Sequence, residues 1–413
     1  MVPPGRTQPS GSRLSSPAPV TRAQSMKARI LLGTALSLLL VVPALAGTVK
    51  IGVVLPQTGV GAVLAKQMQA AIELAVTHEG GKLGGQDVEF FWGDSQGKAD
   101  VAKQLADEMV KSKRVDFLVG PLFSSEMMAV HGGLARTDAF VISPIAGPAP
   151  IAGKSCSANF FNVSSQNDQQ AEALGAYLEK QGVKRVYVMT VNNQAGKDMV
   201  SGFKRNFKSE LVGEVYTRFG QVDFAAELSA LRTAAPAATF IFYPGDMGVQ
   251  FVKQYAQGGL TKTTPLYTVW TVDQATLPAV GDDAIGVRSG NVWSVDLPNP
   301  ANARFVTDFK QKNGFLPNDY AAHAYDSILL VSSAVRAVGG DMSRKDDIRK
   351  ALKAADFASN RGKFAYNSNN FPIEDYYVRE VVKGDDGVLV TKTVETVMTD
   401  AKDAYYQECP LGK

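Results

Sequence analysis

From Val49 onward, short apolar runs alternate with amphipathic helical stretches, and that alternation limits the chain to one broad architecture. Val49–Leu55 predicts a buried strand, Leu64–Glu79 a helix, Val88–Trp92 a strand and Ala99–Lys111 a helix, followed by strands at Phe117–Val119 and Phe140–Ser143. The pattern restarts with helix Gln169–Gln181, strand Arg185–Thr190, helix Gly196–Leu211, strand Glu214–Phe219, helix Ala225–Ala234, strand Thr239–Tyr243, helix Val249–Gln257 and strand Leu266–Tyr267. Repeated strand-helix units imply a parallel sheet with helices on both faces, so the chain predicts two α/β lobes. Helices at Ala303–Lys312, Tyr320–Val338 and Lys345–Ala354 follow, and the end is β-rich over Tyr376–Val382 and Val388–Val397. Such late segments are available to cross back between the lobes, as in a hinged, clam-like protein.

The segment before this core reads as an export signal. Met26-Lys27-Ala28-Arg29 is a basic start, Ile30–Val42 an uncharged apolar run of 13 residues, and Pro43-Ala44-Leu45-Ala46 ends in an A-x-A pattern. The run is too short for a spanning helix, which needs ~20 apolar residues. Cleavage after Ala46 leaves 367 residues beginning Gly47-Thr48-Val49, and residues 1–25, rich in Pro, Ser and Arg, read as an over-extended gene start. Charge supports no polyanion partner. The formal net charge of +3 rests on Arg6, Arg13, Arg22, Lys27 and Arg29; without them 38 basic residues face 40 acidic ones. A nucleic-acid partner is therefore not expected.

In an exported chain the two cysteines, Cys156 and Cys409, allow one disulfide, the alternative being two unpaired small residues. Cys409 sits four residues from the terminus, where a staple would hold a tail otherwise free to fray, which favours pairing. In the chain-entropy model such a closure stabilises by ~4–5 kcal/mol.

No residue set nominates an enzyme. His78, His131 and His323 lack metal-ligand spacing and read as surface or packing residues. No G-x-S-x-G, H-E-x-x-H or G-x-x-x-x-G-K-[ST] occurs, and in Gly59-Val60-Gly61-Ala62-Val63-Leu64 a leucine takes the place of the third glycine of a dinucleotide loop. Asp94 and Asp100 fit capping and turn roles. No catalytic residue, cofactor or metal is expected.

Loops at strand carboxyl ends carry the remaining signal, because open α/β sheets bind ligands there. Leu55-Pro56-Gln57-Thr58-Gly59, Gly120-Pro121-Leu122-Phe123-Ser124-Ser125 and Ser143-Pro144-Ile145-Ala146-Gly147 are rich in small and hydroxyl residues. Hydroxyls and free backbone N–H groups at a helix start make an anion site without a buried cation. Ser124 and Ser125 stand where a helix should begin, and simple capping by one of them is the competing role.

These loops resemble the solute-binding proteins of ABC importers of the branched-chain amino acid class, through Ile51-Gly52-Val53 with Pro56 and Thr58-Gly59, Gly120 with Ser124-Ser125, and Ile142-Ser143-Pro144. The resemblance runs in order over residues 48–413. It implies a periplasmic binding protein of type 1: two doubly wound parallel-sheet lobes joined by three crossover segments, near Val163–Gln166, Ser294–Pro298 and Phe371–Glu374. It places lobe 1 at residues 48–164 with 297–372 and lobe 2 at 165–296 with 373–413. It implies a monomer in the periplasm that closes on a ligand and delivers it to a membrane permease.

Carried across by residue, the resemblance puts the ligand-carboxylate hydroxyl on Ser124, beside Thr58 and Ser125, and backbone donors on Ala146 and Gly147. The family's second-lobe tyrosine falls on Ala195, and the acid that holds an α-ammonium falls near Trp270. An ammonium without that acid in a desolvated cleft would lose several kcal/mol unless Asp273 or Asp246 took over. Trp270, Phe123 and Tyr325 are instead expected to sandwich a ring. Arg361-Gly362-Lys363-Phe364, Asn370-Phe371-Pro372-Ile373 and Glu408-Cys409-Pro410, with the cysteine of Lys154-Ser155-Cys156-Ser157, resemble a subgroup associated with aromatic acids. The expected ligand is a small aromatic carboxylate. The alternatives are a branched-chain or other amino acid, or a sensor domain that presents ligand to a signalling partner.

Overall fold

The computed structural model describes residues 47–134 and 137–412. The export segment and residues 1–25 fall outside them. The first α/β unit runs β1 (Val49–Leu55), α1 (Ala62–His78), β2 (Val88–Asp94), α2 (Ala99–Lys111), β3 (Phe117–Val119), α3 (Ser124–Leu134), β4 (Phe140–Ser143), α4 (Ala149–Ala152) and β5 (Phe160–Asn162). The second runs α5 (Asn167–Lys180), β6 (Arg185–Val191), α6 (Gln194–Asn206), β7 (Glu210–Thr217), α7 (Ala225–Ala234), β8 (Ala238–Phe242), α8 (Asp246–Gln257), β9 (Leu266–Thr268), α9 (Leu277–Val280) and β10 (Arg288–Asn291). The chain closes with α10 (Pro300–Asn313), α11 (Asp319–Ala337), α12 (Lys345–Ala354), β11 (Ala365–Tyr366), β12 (Pro372–Lys383) and β13 (Leu389–Ala401).

Each lobe is built on one sheet. The first has the order β2-β1-β3-β4-β5, all parallel. The second has β7-β6-β8-β9-β10 in parallel, then β12 antiparallel to β10, flanked by β11 and β13. The central strands carry no polar outer face: β1 contributes Val49, Ile51, Val53, Val54 and Leu55 to the core and β8 contributes Phe240 and Ile241, all fully buried. Helices on both faces explain why these strands read as unbroken apolar runs. In each sheet the chain reverses its direction of winding beside one strand, β1 in the first and β6 in the second, and the loops leaving those points face each other across the cleft.

Two buried arginines bind the passages between lobes. Arg361 donates to the carbonyls of Ser164 (3.1 Å) and Val163 and pairs with Glu374, and Asp326 of α11 lies 3.6 Å away. It ties the first and third crossings to one helix. Asn162 N–H adds a bond to Asn370 O at 3.0 Å between the same two crossings. Arg379 of β12 donates to Trp293 O (2.9 Å) and pairs with Asp319 of α11 (3.0 Å), which holds the second crossing. Cys156 and Cys409 form a disulfide with Cα atoms 5.7 Å apart, fastening the tail to the loop after α4.

Two sequence expectations need correction. The helix expected to reach Leu211 ends at Asn206, because Phe207 turns to an extended conformation and Glu179 of α5 accepts the N–H groups of Lys208 (3.0 Å) and Ser209 (3.1 Å). The following strand therefore starts at Glu210 rather than Glu214. Strands β5, β10 and β11 were not expected at all; β10 reads Arg-Ser-Gly-Asn, without an apolar run, yet three of its four residues are buried.

Candidate functional site

A cavity with about 420 Å3 of space between atoms, partly open to solvent, lies between the lobes. The first lobe supplies Leu122, Phe123 and Ser124 after β3 and Ile145 and Ala146 after β4. The second supplies Asn167 at the start of α5, Asn193 and Ala195 at the start of α6 and Met199 in its body, Phe242 at the end of β8 with Pro244 beyond it, and Trp270 after β9; Tyr320 of α11 completes the wall. All but the α5, α6 body and α11 residues lie on loops at strand carboxyl ends or at the helix starts they feed, where the reversals of winding leave a crevice.

The donors of the site can be followed bond by bond. Glu126 of α3 reaches back to accept the Phe123 N–H at 2.9 Å, so the cap comes from the glutamate and not from a serine. Ser124 Oγ accepts a bond from Asn167 Nδ2 at 3.0 Å, which leaves the serine proton free to point into the cavity. The amide is held the same way round at its other end, since Asn167 Oδ1 accepts the Gly147 N–H at 3.1 Å. Asn193 uses its Oδ1 to cap α6 through the Gly196 N–H at 3.0 Å. Ser124 and Asn193 thus present O–H and amide N–H groups at the starts of α3 and α6, where helix dipoles favour negative charge.

No charged side chain lines this cavity among the described residues. Asp273 is buried, with its carboxylate occupied by Asn318 Nδ2 (3.1 Å) and the N–H groups of Ala275 (2.8 Å) and Thr276 (3.1 Å), and Asp246 is exposed at the start of α8. Neither stands in for the missing acid. Burial, with Asp319 nearby, pushes the Asp273 carboxyl up to about 7.

The aromatic wall is fixed from behind. Trp270 has a φ of 52°, a left-handed conformation costly for so bulky a residue, and its carbonyl accepts the Tyr320 hydroxyl at 3.3 Å. The two rings meet edge-on at 5.0 Å, and His323, one turn further along α11, meets Trp270 at 5.8 Å. Burial drives the His323 pKa well below its usual value, so the ring is neutral there. Phe123 packs on Phe219 of the opposite lobe at 5.1 Å.

Of the residues expected at the site, Phe123, Ser124, Ala146, Ala195 and Trp270 line the cavity. Gly147 and Ser125 do not. The Gly147 N–H is committed to Asn167, and a Cβ there would stand 2.2 Å from Ser165 O, which explains the glycine. Thr58 turns away and donates to Asp94 at 2.6 Å on the exposed rim. Tyr325 requires correction. Five residues beyond Tyr320 on one helix it lies about 140° around the axis, packs at a tilt on Phe305 with ring centroids 4.7 Å apart and bonds His78 Nδ1 at 2.7 Å. The cavity tyrosine is Tyr320, and Asn167, Asn193 and Met199 were also missed. The alternation of hydroxyl-rich loops could not point to Asn167, which stands in a polar run, Gln166-Asn167-Asp168-Gln169, that reads as a capped helix start.

The model of the family described as periplasmic binding protein matches residues 48–386, so the chain belongs to this family of two-lobed solute-binding proteins. Its place is that of a periplasmic solute-binding protein of an ABC transporter, a class that binds small molecules and delivers them to a permease. A "Leu/Ile/Val-binding protein homolog 6" from Brucella suis is 27% identical over 366 residues, covering 86% of this chain and 92% of that one. Among solved structures, a solute-binding protein of an ABC transporter from R. palustris in complex with benzoate is 30% identical, with a TM-score of 0.82 over 88% of this chain and 100% of that one. A second, from Rhodopseudomonas palustris BisB5 in complex with 3,4-dihydroxy benzoic acid, is 28% identical, with a TM-score of 0.78 over 86% and 98%.

Proposed function

We propose that this protein captures a small aromatic carboxylate of the benzoate type and hands it to the permease. One observation carries the reading: the cavity joins hydrogen-bond donors at two helix starts to an aromatic and aliphatic wall, with no carboxylate lining it. The carboxylate sits on Ser124, aided by the Ala146 N–H, and the ring lies among Phe123, Trp270, Tyr320 and Phe242. An amino acid would bring an ammonium with no counter-charge into a desolvated space, a cost of several kcal/mol. The benzoate and dihydroxybenzoate complexes of the two R. palustris proteins support the same ligand class. The Brucella relative's name favours a second reading, a branched-chain amino acid.

Closure moves the sheet of the first lobe against that of the second about the three crossings. A ligand that touches both lobes favours the closed arrangement. Thermal-shift screening separates the two ligand classes. A ligand at ~100 times its dissociation constant adds ~2.7 kcal/mol of stability. Benzoate and 4-hydroxybenzoate should raise the melting temperature while leucine leaves it in place; stabilisation by leucine alone would transfer the function to amino acids.

A further inference from the structure

The polar contacts that surround Ser124 cross from one lobe to the other and converge on a carboxylate that touches no ligand. Asp198 of α6 accepts the Ala149 N–H of the first lobe at 3.1 Å, Asn167 Nδ2 at 2.9 Å and Gln194 Nε2 at 2.7 Å. Asn167 in turn reaches the first lobe twice, through Ser124 and Gly147. We infer that Asp198 is a positioning residue that aims Asn167 and Ser124 at the ligand carboxylate, and that closure of the lobes on an anionic ligand is coupled to proton uptake by Asp198. This rests on the reading that a ligand carboxylate sits at Ser124, and goes beyond it by adding a proton to the binding equilibrium.

The geometry supplies three reasons. Asp198 is only 3% exposed, and the segment that covers it from the opposite lobe is the loop bearing Gly147 and Ala149. Opening withdraws that loop and lets water reach the carboxylate, so closure strips solvent from a charge. Asp168 of α5 is the second reason, a like charge beside Asp198. Asp168 itself is held by Arg205 of α6 at 2.7 Å and by the Tyr405 hydroxyl at 2.8 Å, and Arg205 also pairs with Glu172. That cation is therefore engaged by two other carboxylates. From the first lobe, α3 and the loop into α4 bring only the Ser124 hydroxyl and the Gly147 and Ala149 N–H groups to this network among the described residues. The third reason is the ligand, whose negative charge lies on the far side of Ser124. All three disfavour the ionised form of Asp198 in the closed, liganded state, and they outweigh the three hydrogen bonds that favour it. Burial and Asp168 together push this carboxyl up to about 7 with the first-lobe loop resting on it as it does here.

The sign follows from linkage. A group whose pKa is higher in the closed than in the open state favours closure below that pKa, and the advantage is lost as pH rises through about 7. With an ordinary carboxylate value in the open state, benzoate should bind about tenfold more tightly at pH 6 than at pH 8. At pH 7 the protein should take up about half a proton per ligand bound. Benzoate is itself fully ionised across this range, so it contributes nothing to the slope.

The test is calorimetric titration at pH 7 in two buffers of different ionisation enthalpy, and at pH 6, 7 and 8, for the wild type and Asp198→Asn. The amide keeps an acceptor for Asn167 and Ala149, and a turned Gln194 accepts from its NH2, so the network keeps its shape without a titrating group. We expect a buffer-dependent heat and a tenfold affinity change in the wild type, and neither in D198N. A wild-type heat that is the same in both buffers overturns the proposal, and this arm needs no variant. Equal proton uptake in wild type and D198N also overturns it, and would move the titration to Glu126 or Asp273, buried acids likewise held near 7. Leucine run in parallel keeps the two readings apart. Binding of leucine and not benzoate ends the aromatic assignment, whereas the proton count is then read on the leucine carboxylate at the same serine.

Discussion

Ser124 and Tyr325 show how much one side chain's direction decides. In the sequence the serine hydroxyl has two candidate roles, helix cap or ligand donor; in the structure Glu126 takes the Phe123 N–H, while Ser124 accepts from Asn167 and lines the cavity. Replacing Ser124 by Ala removes one hydrogen bond to a charged ligand, a contribution of ~1.5–3 kcal/mol. Benzoate affinity measured by calorimetry should fall roughly 10- to 150-fold while the melting temperature without ligand stays within about 1 °C. Tyr325→Phe should do the reverse. It deletes the 2.7 Å bond to His78, so unfolding measurements should show a loss of about 1 kcal/mol with ligand affinity unchanged. A loss of affinity in Y325F would return Tyr325 to the site. The sequence motif carried Ser124 to the cavity wall because a helix start has a fixed position relative to its strand. It could not do so for Tyr325, since five residues along a helix change the face and the choice of face depends on packing against α1 and α10.

At the level of elements, strands buried on both faces were readable and short or polar ones were not. β1, β3 and β4 appear as apolar runs because helices cover them on both sides. β10 hides its identity, since Arg288 pairs with Glu380 and Gly290 is required where Gln170 O would meet a Cβ at 2.6 Å. Such a strand is specified by its neighbours, not by its own residues. The tail is likewise held by a partner far away in sequence: the Cys156–Cys409 link spans 253 residues. Cys409→Ser should lower stability by about 2–5 kcal/mol in denaturant unfolding, with ligand affinity near the wild-type value because both cysteines lie away from the cavity. The crossings are a second case. Arg361 joins Val163, Ser164, Glu374 and Asp326, so Arg361→Met leaves two acids buried without their cation and should destabilise by ~3–5 kcal/mol. A melting temperature equal to the wild type's would contradict that account of the hinge.

For the molecule as a whole, fold and site follow from the same topology. Two sheets that reverse their winding beside β1 and β6 set two groups of loops facing each other, and the helices those loops feed direct N–H and O–H groups into the space between. The second-lobe half of the cavity was harder to read from sequence, because Asn167, Asn193 and Met199 gain their meaning only when α5 and α6 are brought opposite Ser124. The topology thus serves the ligand proposed above, an aromatic acid whose carboxylate rests on Ser124. A crystal structure of the protein grown with benzoate tests it most directly. The carboxylate should lie within hydrogen-bond distance of Ser124 Oγ and the ring against Trp270. A cavity left without benzoate under saturating conditions, or a carboxylate turned toward the Trp270 wall with the ring at Ser124, would contradict it.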